Sequence, residues 1–183
     1  IFSDQKGNIF VFSLTEKKII NKLNFYKKKF KNIKKKLNLI VENGIIFVSD
    51  NIGFLYAFDY KKNIVIWAKN YKIPFRSNLK IFQDKILASN QNNHLYFFSK
   101  YSGDIFKLIP TEETIVKNRF VNNLSLNNDY LFFLNTYGSL YAVTKKNMNI
   151  KWFVNLNESI DINPSNLFLG NQIVNNDKKI VVG

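Results

Sequence analysis

Few side chains in this sequence could carry out catalysis or hold a metal ion. The chain of 183 residues has no cysteine and one histidine, His94. The lack of cysteine excludes disulfides, thiolate metal sites and cysteine nucleophiles. A catalytic triad or a metal site based on histidine would have to use His94 alone.

The carboxylates are also sparse, with 13 aspartate and glutamate residues in total. None of them falls into a cluster with the spacing typical of a Ca²⁺ or Mg²⁺ site. Asp59 and Asp104 stand at positions typical of turns. Glu112 and Glu113 lie in a loop, where solvated helix capping is the simpler interpretation. We therefore predict no catalytic residue, no metal and no cofactor in this chain, while a Ca²⁺ ligand set assembled from distant loops stays open.

The charge balance is strongly basic, because 27 lysine and arginine residues outnumber 13 acidic ones and give a net charge of +14. Only Arg76 and Arg119 are arginine. Proteins that read nucleic acid specifically favour arginine, whose planar fork pairs with guanine and phosphate, so we predict no nucleic-acid partner. The densest run has seven lysines within residues 26–36. We interpret it as a solvated loop, with an anionic membrane surface as its alternative partner.

A repeated segment is the strongest signal in the sequence. Residues 7–13, 53–59, 93–99 and 138–144 share one pattern, and their first positions are 46, 40 and 45 residues apart. Each begins with glycine or asparagine, which best tolerate the positive φ of a tight hairpin turn. Each ends with serine, aspartate or threonine, which start turns. His94 takes the second position, where the other segments have Asn8, Phe54 and Ser139, and this variety indicates a surface turn.

Apolar runs flank the last three of these segments, two before each and one after it. Each repeat of about 44 residues therefore consists of four short strands joined by hairpins, which is typical of a β-propeller blade. Within residues 53–59, Leu55 and Ala57 point to one face and Tyr56 and Phe58 to the other. Both faces are apolar, as expected for a sheet stacked between two neighbours. A β-sandwich is the alternative, but it would not repeat a four-strand unit in register.

The predicted fold class is all-β, a β-propeller built of four-stranded antiparallel blades, with about four blades' worth in this chain. The predicted boundaries are a part blade at 1–23, blades at about 37–67, 79–108 and 124–153, and a part blade at 165–183. Together they make residues 1–183 a single propeller segment. The sequence has no initiator methionine and starts inside an apolar strand. We therefore expect a segment of a seven- or eight-bladed ring, and closure as a four-bladed ring is the alternative.

The repeat resembles the blade of pyrroloquinoline-quinone-like propellers, whose pattern is Gly-x-Leu-Tyr-Ala-Leu-Asp, then a turn, then Trp. Residues 53–59 followed by Trp67 match closely, and residues 138–143 followed by Trp152 match as well. The third repeat keeps the Leu-Tyr pair but has Lys107 in place of the tryptophan, and the first repeat lacks both the alanine and the tryptophan. WD-type blades are the alternative, but the sequence lacks their Gly-His and Trp-Asp signatures.

The resemblance implies one of two functions. In the first, which we favour, the chain is a non-catalytic scaffold similar to the propeller lipoprotein of the outer-membrane β-barrel assembly machinery (BamB type). Such a scaffold needs no cofactor, binds protein partners of the membrane assembly machinery, and lies in the periplasm in association with the outer membrane. In the second, the chain is a segment of a dehydrogenase that oxidises alcohols or sugars with pyrroloquinoline quinone and calcium. The vicinal disulfide on which many such enzymes stack the quinone is excluded for this segment, which has no cysteine.

Two arginines are the candidate partner-binding residues. Arg76 and Arg119 both lie in loops that lead into the first strand of a repeat, shortly before Leu79 and Leu124. Equivalent loops of a propeller cluster on one face around its axis, so two arginines there would suit an acidic or extended protein partner. The alternative is that each arginine bonds a carboxylate or a carbonyl within its own loop.

Overall fold

The computed structural model describes residues 1–114, 120–157, 167–170, 172–176 and 178–183. Within these residues the regular structure is β-strand, apart from one short 3₁₀ turn at Lys28–Phe30. No helix in the described part of the chain is long and apolar enough to cross a membrane. The strands are β1 (Phe2–Ser3), β2 (Asn8–Ser13), β3 (Lys18–Asn24), β4 (Leu37–Glu42), β5 (Ile45–Asp50), β6 (Phe54–Asp59), β7 (Ile64–Asn70), β8 (Lys80–Phe82), β9 (Lys85–Ser89), β10 (Leu95–Ser99), β11 (Ile105–Ile109), β12 (Asn123–Leu126), β13 (Tyr130–Leu134), β14 (Ser139–Thr144), β15 (Ile150–Asn155), β16 (Val174–Asn175) and β17 (Ile180–Val181).

Three sheets have four strands each, and every strand in them pairs antiparallel with the next one along the chain: β4–β7, β8–β11 and β12–β15. A three-stranded sheet, β1–β3, precedes them, and a two-stranded sheet, β16–β17, follows them. This architecture confirms the predicted four-stranded antiparallel blades. A β-bulge, which shifts the register of pairing, also recurs. It lies between the last two strands of each three- or four-stranded sheet. The shifts fall at Val11/Phe12, Ala57/Phe58, Phe97/Phe98 and Ala142/Val143.

The chain divides into two compact units. Unit 1 comprises Ile1–Phe75 and Tyr101–Gly103, and unit 2 comprises Arg76–Lys100 and Asp104–Gly183. Unit 1 holds the sheets β1–β3 and β4–β7, and unit 2 holds β8–β11, β12–β15 and β16–β17. The prediction of one propeller segment over 1–183 stays a prediction. Its last part blade, at 165–183, lies partly outside the described residues.

In unit 1, β2 packs against β5 and β6. Tyr56 and Phe58 of β6 face this core, and Leu55 and Ala57 on the opposite face of the same strand are also fully buried. This confirms that both faces of the third strand of the blade are buried. Each large apolar side chain contributes about 2 kcal/mol by leaving water. The core residues are Ile9, Val11, Ile46, Val48, Tyr56 and Phe58.

In unit 2, the β12–β15 sheet is buried on both faces. One face, which includes Phe133 and Tyr141, packs against β9 and β10. The other face, which includes Phe132 and Leu140, packs against Ile173 and the residues around β17. Successive side chains of a strand point to opposite faces, so the adjacent residues Phe132 and Phe133 enter different cores. The continuous apolar run in β13 is therefore explained by burial on both sides.

In unit 2, asparagine side chains at the first strands of two sheets bond the backbone of a later segment. Just before β8, Asn78 Nδ2 donates to the carbonyl oxygen of Leu124 at 2.9 Å, and the Leu124 N–H donates to Asn78 Oδ1 at 2.8 Å. Asn123 takes the equivalent position one sheet later, and its Nδ2 donates to the carbonyl oxygen of Gly170 at 3.1 Å. An amide both donates and accepts, so it satisfies the backbone at a strand edge. The last strands, β11 and β15, lie at the opposite edges of their sheets.

Candidate functional site

One kind of turn recurs before β2, β6, β10 and β14. An aspartate or asparagine stands at the end of the preceding strand. Its Oδ1 accepts hydrogen bonds from the backbone N–H groups two and four residues further on, at 2.8–3.1 Å. The residue three positions on has a φ between +68° and +99°, which confirms the predicted hairpin conformation. The capping residues are Asp4, Asp50, Asn90 and Asn135, and the residues of positive φ are Gly7, Gly53, Asn93 and Gly138.

The glycine pattern alone does not predict these four capping side chains. A signal for them exists in the sequence, because aspartate or asparagine stands three positions before the turn residue in all four repeats. Short side chains of this type bond the backbone two residues on and thereby stabilise a turn. The repeated pattern therefore starts three positions before the glycine or asparagine and reads Asp/Asn-x-x-Gly/Asn.

Asp50, in unit 1, is fully buried, and both of its carboxylate oxygens are occupied. Oδ1 accepts from the backbone N–H groups of Ile52, Gly53 and Phe54, each at 2.8 Å. Oδ2 accepts from the Tyr26 hydroxyl at 2.5 Å. Burial raises the pKa of Asp50, although these hydrogen bonds oppose the shift, and burial also raises the pKa of Tyr26. Asp50 therefore holds the turn, and its full burial closes it off from solvent.

Glu112, in unit 2, binds the equivalent turn between β13 and β14 from a separate loop. Its Oε2 accepts from the Ser139 hydroxyl at 2.5 Å and from Asn135 Nδ2 at 3.2 Å, and its backbone N–H donates to the Tyr141 hydroxyl at 3.3 Å. Burial raises the pKa of the Tyr141 hydroxyl, and the charge of Glu112 acts in the same direction. Glu112 is exposed, as the sequence predicts, but residues 111–114 form no helix and its carboxylate is bound to the β13–β14 turn.

His94 lies at the β9–β10 turn, as the repeat predicts, but its ring is held by neighbours. Nδ1 lies 3.2 Å from the Tyr96 hydroxyl, and Nε2 lies 3.4 Å from Glu113 Oε1. The His94 side chain is only 22% exposed. Burial raises the pKa of Tyr96, and the charge of Glu113 adds to the shift. The structure thus brings together His94 and Glu113, two side chains that the sequence leaves unconnected.

The arrangement of these side chains does not fit a metal–quinone site. Within the described residues, no group of three or more histidine, aspartate or glutamate side chains lies close enough to hold a metal ion. Asp50 and Glu112 bind protein donors. A Ca²⁺ site draws its six or more oxygen ligands largely from carboxylates, and the described residues hold no group of three such side chains. For the whole chain, the absence of catalytic residues, metal and cofactor stays a prediction.

Only one of the two candidate arginines, Arg76, lies within the described residues. Arg76 is half-buried at the start of unit 2. Its backbone N–H donates to the carbonyl oxygen of Ser89 at 2.9 Å, and its own carbonyl accepts from the Asn122 N–H at 2.7 Å. Arg119 lies outside the described residues. A partner site at Arg76 and Arg119 stays a prediction.

The last strand of each four-stranded sheet exposes apolar side chains. The second and third strands of the blades are almost entirely buried, whereas Leu108 of β11 is 45% exposed and Val154 of β15 is 44% exposed. Each last strand also lies at a sheet edge. An edge strand with exposed apolar side chains can pair with a further strand. The exposed apolar residues of these strands are Ile64, Val65, Ile66, Ile105, Phe106, Leu108, Trp152, Phe153 and Val154.

The chain is similar to solved β-propeller structures. Over 87% of this chain and 46% of the other, it matches BamB from Moraxella catarrhalis with a TM-score of 0.68 and 13% sequence identity. Over 84% of this chain and 50% of the other, it matches the β-propeller domain of Cps50 (Swd1) from Myceliophteria thermophila with a TM-score of 0.64 and 9% identity. No family model matches the chain, and no curated protein matches it. The chain spans about half the length of these two structures, and its fold is that of a β-propeller.

Proposed function

We propose that this chain is a non-catalytic β-propeller scaffold that binds proteins in outer-membrane assembly, in the periplasm. The observation that carries the proposal is the contrast between the buried central strands of each blade and the exposed apolar last strands. The resemblance of the repeat to assembly propellers of the BamB type supports it, and so does the structural similarity to BamB from Moraxella catarrhalis.

The occupant that we propose for the last strands is an extended, unfolded outer-membrane β-barrel protein. In β11 and β15 one edge of the backbone has no partner strand within the described sheets. An extended client can add to such an edge through main-chain hydrogen bonds, while pockets between side chains select alternate apolar residues. Strands of outer-membrane barrels alternate apolar and polar residues, so such a client would present an apolar face to Leu108 and Val154.

The basic surface suits a second contact, with an anionic membrane surface. The net charge of +14 attracts the protein to such a surface and raises its local concentration there. This contact would weaken with added salt, because exposed charges are screened within about 10 Å at 0.1 M ionic strength. Membrane attraction and client binding are therefore separable by ionic strength.

The test is a binding measurement with an outer-membrane β-barrel protein denatured in urea and diluted into buffer. The double variant Leu108→Ser/Val154→Ser removes one exposed apolar side chain from each of two last strands. We expect it to weaken binding about tenfold, since exposed anchors of this kind contribute on the order of 1 kcal/mol or less each. Its melting temperature should stay close to that of the original chain, because both residues are partly exposed.

The matched control is Leu14→Ser/Ile33→Ser, which makes the same chemical change at two exposed positions outside the strands. We expect this control to bind the denatured barrel protein as the original chain does. Equal binding by the two double variants would contradict the role of the last strands. Reduction of a redox dye by the chain supplied with pyrroloquinoline quinone, Ca²⁺ and an alcohol would contradict the non-catalytic assignment.

A loop contact through Arg76 and Arg119 is a second part of this proposal. Charge reversal at both residues, Arg76→Glu/Arg119→Glu, should weaken capture of the same barrel protein without changing the melting temperature. Unchanged capture would remove the two arginines from the proposed partner surface and leave the last strands as its only part.

A further inference from the structure

A cleft of about 440 Å³ in unit 1 gathers lysine side chains from two separate loops. One loop is the turn before β2, and the other connects β3 to β4. We call this feature the lysine cleft, and its volume lies within the range of small-molecule sites. It is lined chiefly by Lys6, Lys27, Lys28, Lys31, Lys35 and Tyr26.

Aromatic side chains hold the lysine-rich loop against the blade. The Phe25 ring stacks on Tyr56 with centroids 4.4 Å apart, and the Phe30 ring meets Phe54 edge-on at 5.5 Å. The Tyr26 hydroxyl is fixed by its bond to Asp50. The interpretation of residues 26–36 as a solvated loop holds for six of its seven lysines, which are exposed, but Lys35 is buried. The lysines of the cleft therefore project from an anchored segment.

Lys35 is the part of the cleft that a solvated loop does not explain. It is only 4% exposed. Its ammonium group donates to the carbonyl oxygen of Phe30 and lies 5.2 Å from the centre of the Tyr26 ring. An ammonium group has three donors, and burial of a charge is costly unless it is paired. An anion in the cleft would supply the acceptors that the remaining donors of Lys35 need.

The charges around the cleft favour an anion strongly. Among the described residues that line it, five are lysine and none is acidic. Asp4 accepts a hydrogen bond from Asn8 Nδ2 at 2.6 Å. Burial acts to raise the pKa of its carboxyl group, but the bonds from Asn8 and Lys6 and the Lys6 charge lower it, and Asp4 is not one of the residues lining the cleft. Like charges held together repel one another, and a bound anion of high charge removes that repulsion. Asn8 and Asn24, which also line the cleft, add polar side chains to the wall.

We propose that the lysine cleft binds a multiply charged phosphate group, either on a free phosphorylated molecule or on a lipid headgroup. Lysine binds phosphate as a point charge, and five of them match a group that carries several negative charges. The Tyr26 ring and the asparagine amides form the neutral wall beside it. This site is independent of the last strands that we propose for protein clients, so either proposal can fail without the other.

The first probe is inorganic tripolyphosphate, titrated calorimetrically at low ionic strength. The variant Lys28→Gln/Lys31→Gln removes two exposed lysines that line the cleft. We expect its affinity to fall roughly twenty-five-fold, from about fivefold for each lysine near an anionic surface. The matched control is Lys34→Gln/Lys36→Gln, two exposed lysines of the same segment that do not line the cleft. It changes the net charge equally, and its affinity should stay within about threefold of the original.

The second probe distinguishes the two sources of phosphate. Vesicles of phosphatidylcholine with phosphatidic acid present the group on a membrane, and flotation measures the bound protein. A selective loss of tripolyphosphate binding in the cleft variant supports a free ligand, and a selective loss of vesicle binding alone supports a lipid headgroup. The proposal is overturned if the original chain binds neither probe, or if the cleft variant and its control lose affinity equally, since binding would then follow net charge alone.

Discussion

The β5–β6 turn of unit 1 and the β13–β14 turn of unit 2 have the same backbone design but opposite chemical needs. In the first, the capping residue is Asp50, a carboxylate that only accepts hydrogen bonds, and its outer oxygen is satisfied by the Tyr26 hydroxyl. In the second, the capping residue is Asn135, an amide whose Nδ2 must donate, and Glu112 supplies the acceptor. Each turn therefore depends on a partner of matching polarity from elsewhere in the chain.

This difference shows that the capping residue and its partner act as a pair. A carboxylate cap requires a donor beside it, and an amide cap requires an acceptor. Asp50 with Tyr26 and Asn135 with Glu112 satisfy this rule in opposite ways. Because both capping residues are almost fully buried, water cannot replace a lost partner, and mismatched pairs should destabilise the blade.

The largest effect is expected from Asp50→Ala. The substitution removes the acceptor of three backbone N–H groups and of the Tyr26 hydroxyl. Buried donors left without a partner cost about 1–3 kcal/mol each where water cannot reach them, and partial relaxation reduces the sum to about 4 kcal/mol. Urea unfolding should show a midpoint lowered accordingly at constant m value. A loss below about 1 kcal/mol would show that the turn does not depend on this carboxylate.

The next effect is expected from Asn135→Asp, which creates a mismatched pair. The new carboxylate would lie about 3.2 Å from Glu112 Oε2, where Nδ2 now donates. Repulsion and the lost hydrogen bond should lower the free energy of unfolding by about 2 kcal/mol at neutral pH. Adding Glu112→Gln supplies a donor again and should restore most of the loss in a double-mutant cycle.

Asn90→Asp is the matched control for that substitution. Asn90 caps the equivalent turn before β10, and its Nδ2 lies 3.4 Å from the Tyr96 hydroxyl. A hydroxyl can rotate to donate, so Tyr96 can donate a hydrogen bond to the new carboxylate, as Tyr26 does to Asp50. The expected loss is below about 1 kcal/mol. A loss as large as that of Asn135→Asp would contradict the matched-polarity rule.

A smaller effect is expected from Asp4→Ala, at the more exposed of the two aspartate-capped turns. Asp4 accepts from the Lys6 and Asn8 backbone and from the Asn8 side chain. Water can replace these bonds once the carboxylate is removed, so the loss should be about 1 kcal/mol. Urea unfolding beside Asp50→Ala measures both values under the same conditions. An equal loss at the two turns would contradict the assigned role of burial.

The smallest effect is the opposite titration of the two aspartates. Burial raises the pKa of Asp50 above its usual value of 3.8, against the hydrogen bonds from Tyr26 and the backbone. Burial also acts to raise the pKa of Asp4, but the bonds from Asn8 and Lys6 and the Lys6 charge outweigh it and lower that pKa below 3.8. Carbon-13 spectra of the two carboxyl groups should therefore titrate on opposite sides of 3.8. Titration of both groups on the same side would contradict the contrast.

These shifts have opposite consequences for stability. A raised pKa means that the folded chain holds the proton more tightly than the unfolded chain. The contribution of Asp50 to the free energy of unfolding therefore declines as pH rises from 3.8 through the folded pKa. A lowered pKa means that the folded chain holds the proton less tightly. The contribution of Asp4 to the free energy of unfolding is therefore present above pH 3.8 and is lost as pH falls through its folded pKa. The variant Asp50→Asn should lack the first trend and keep the second.

The repeat predicts much of the fold, because its signals are local. Gly7, Gly53 and Gly138 mark hairpins through the φ that only they adopt easily, and the continuous apolar runs predict burial on both faces. The cap at Asp50 is also local and can be read three positions before the glycine. Such features follow from backbone geometry within a few residues.

The partners of the caps cannot be read in the same way. Glu112 reaches Ser139 across 27 positions, and Tyr26 reaches Asp50 across 24, and neither distance matches the period of the repeat. The burial of Lys35 depends on the packing of Phe30, which the charge pattern conceals. Long-range pairs of this kind arise from tertiary contacts, for which a single sequence gives no periodic signal.

The most direct test of the scaffold proposal is amide hydrogen exchange of the chain with and without the denatured barrel protein. Strand addition would place new main-chain hydrogen bonds along β11 and β15, so their exchange should slow when the client is bound, while the already paired β9 and β14 change little. Unchanged exchange in β11 and β15 under conditions where the client is bound would contradict the proposal. Slowed exchange confined to the loop that contains Arg76 would instead place the client on the loops.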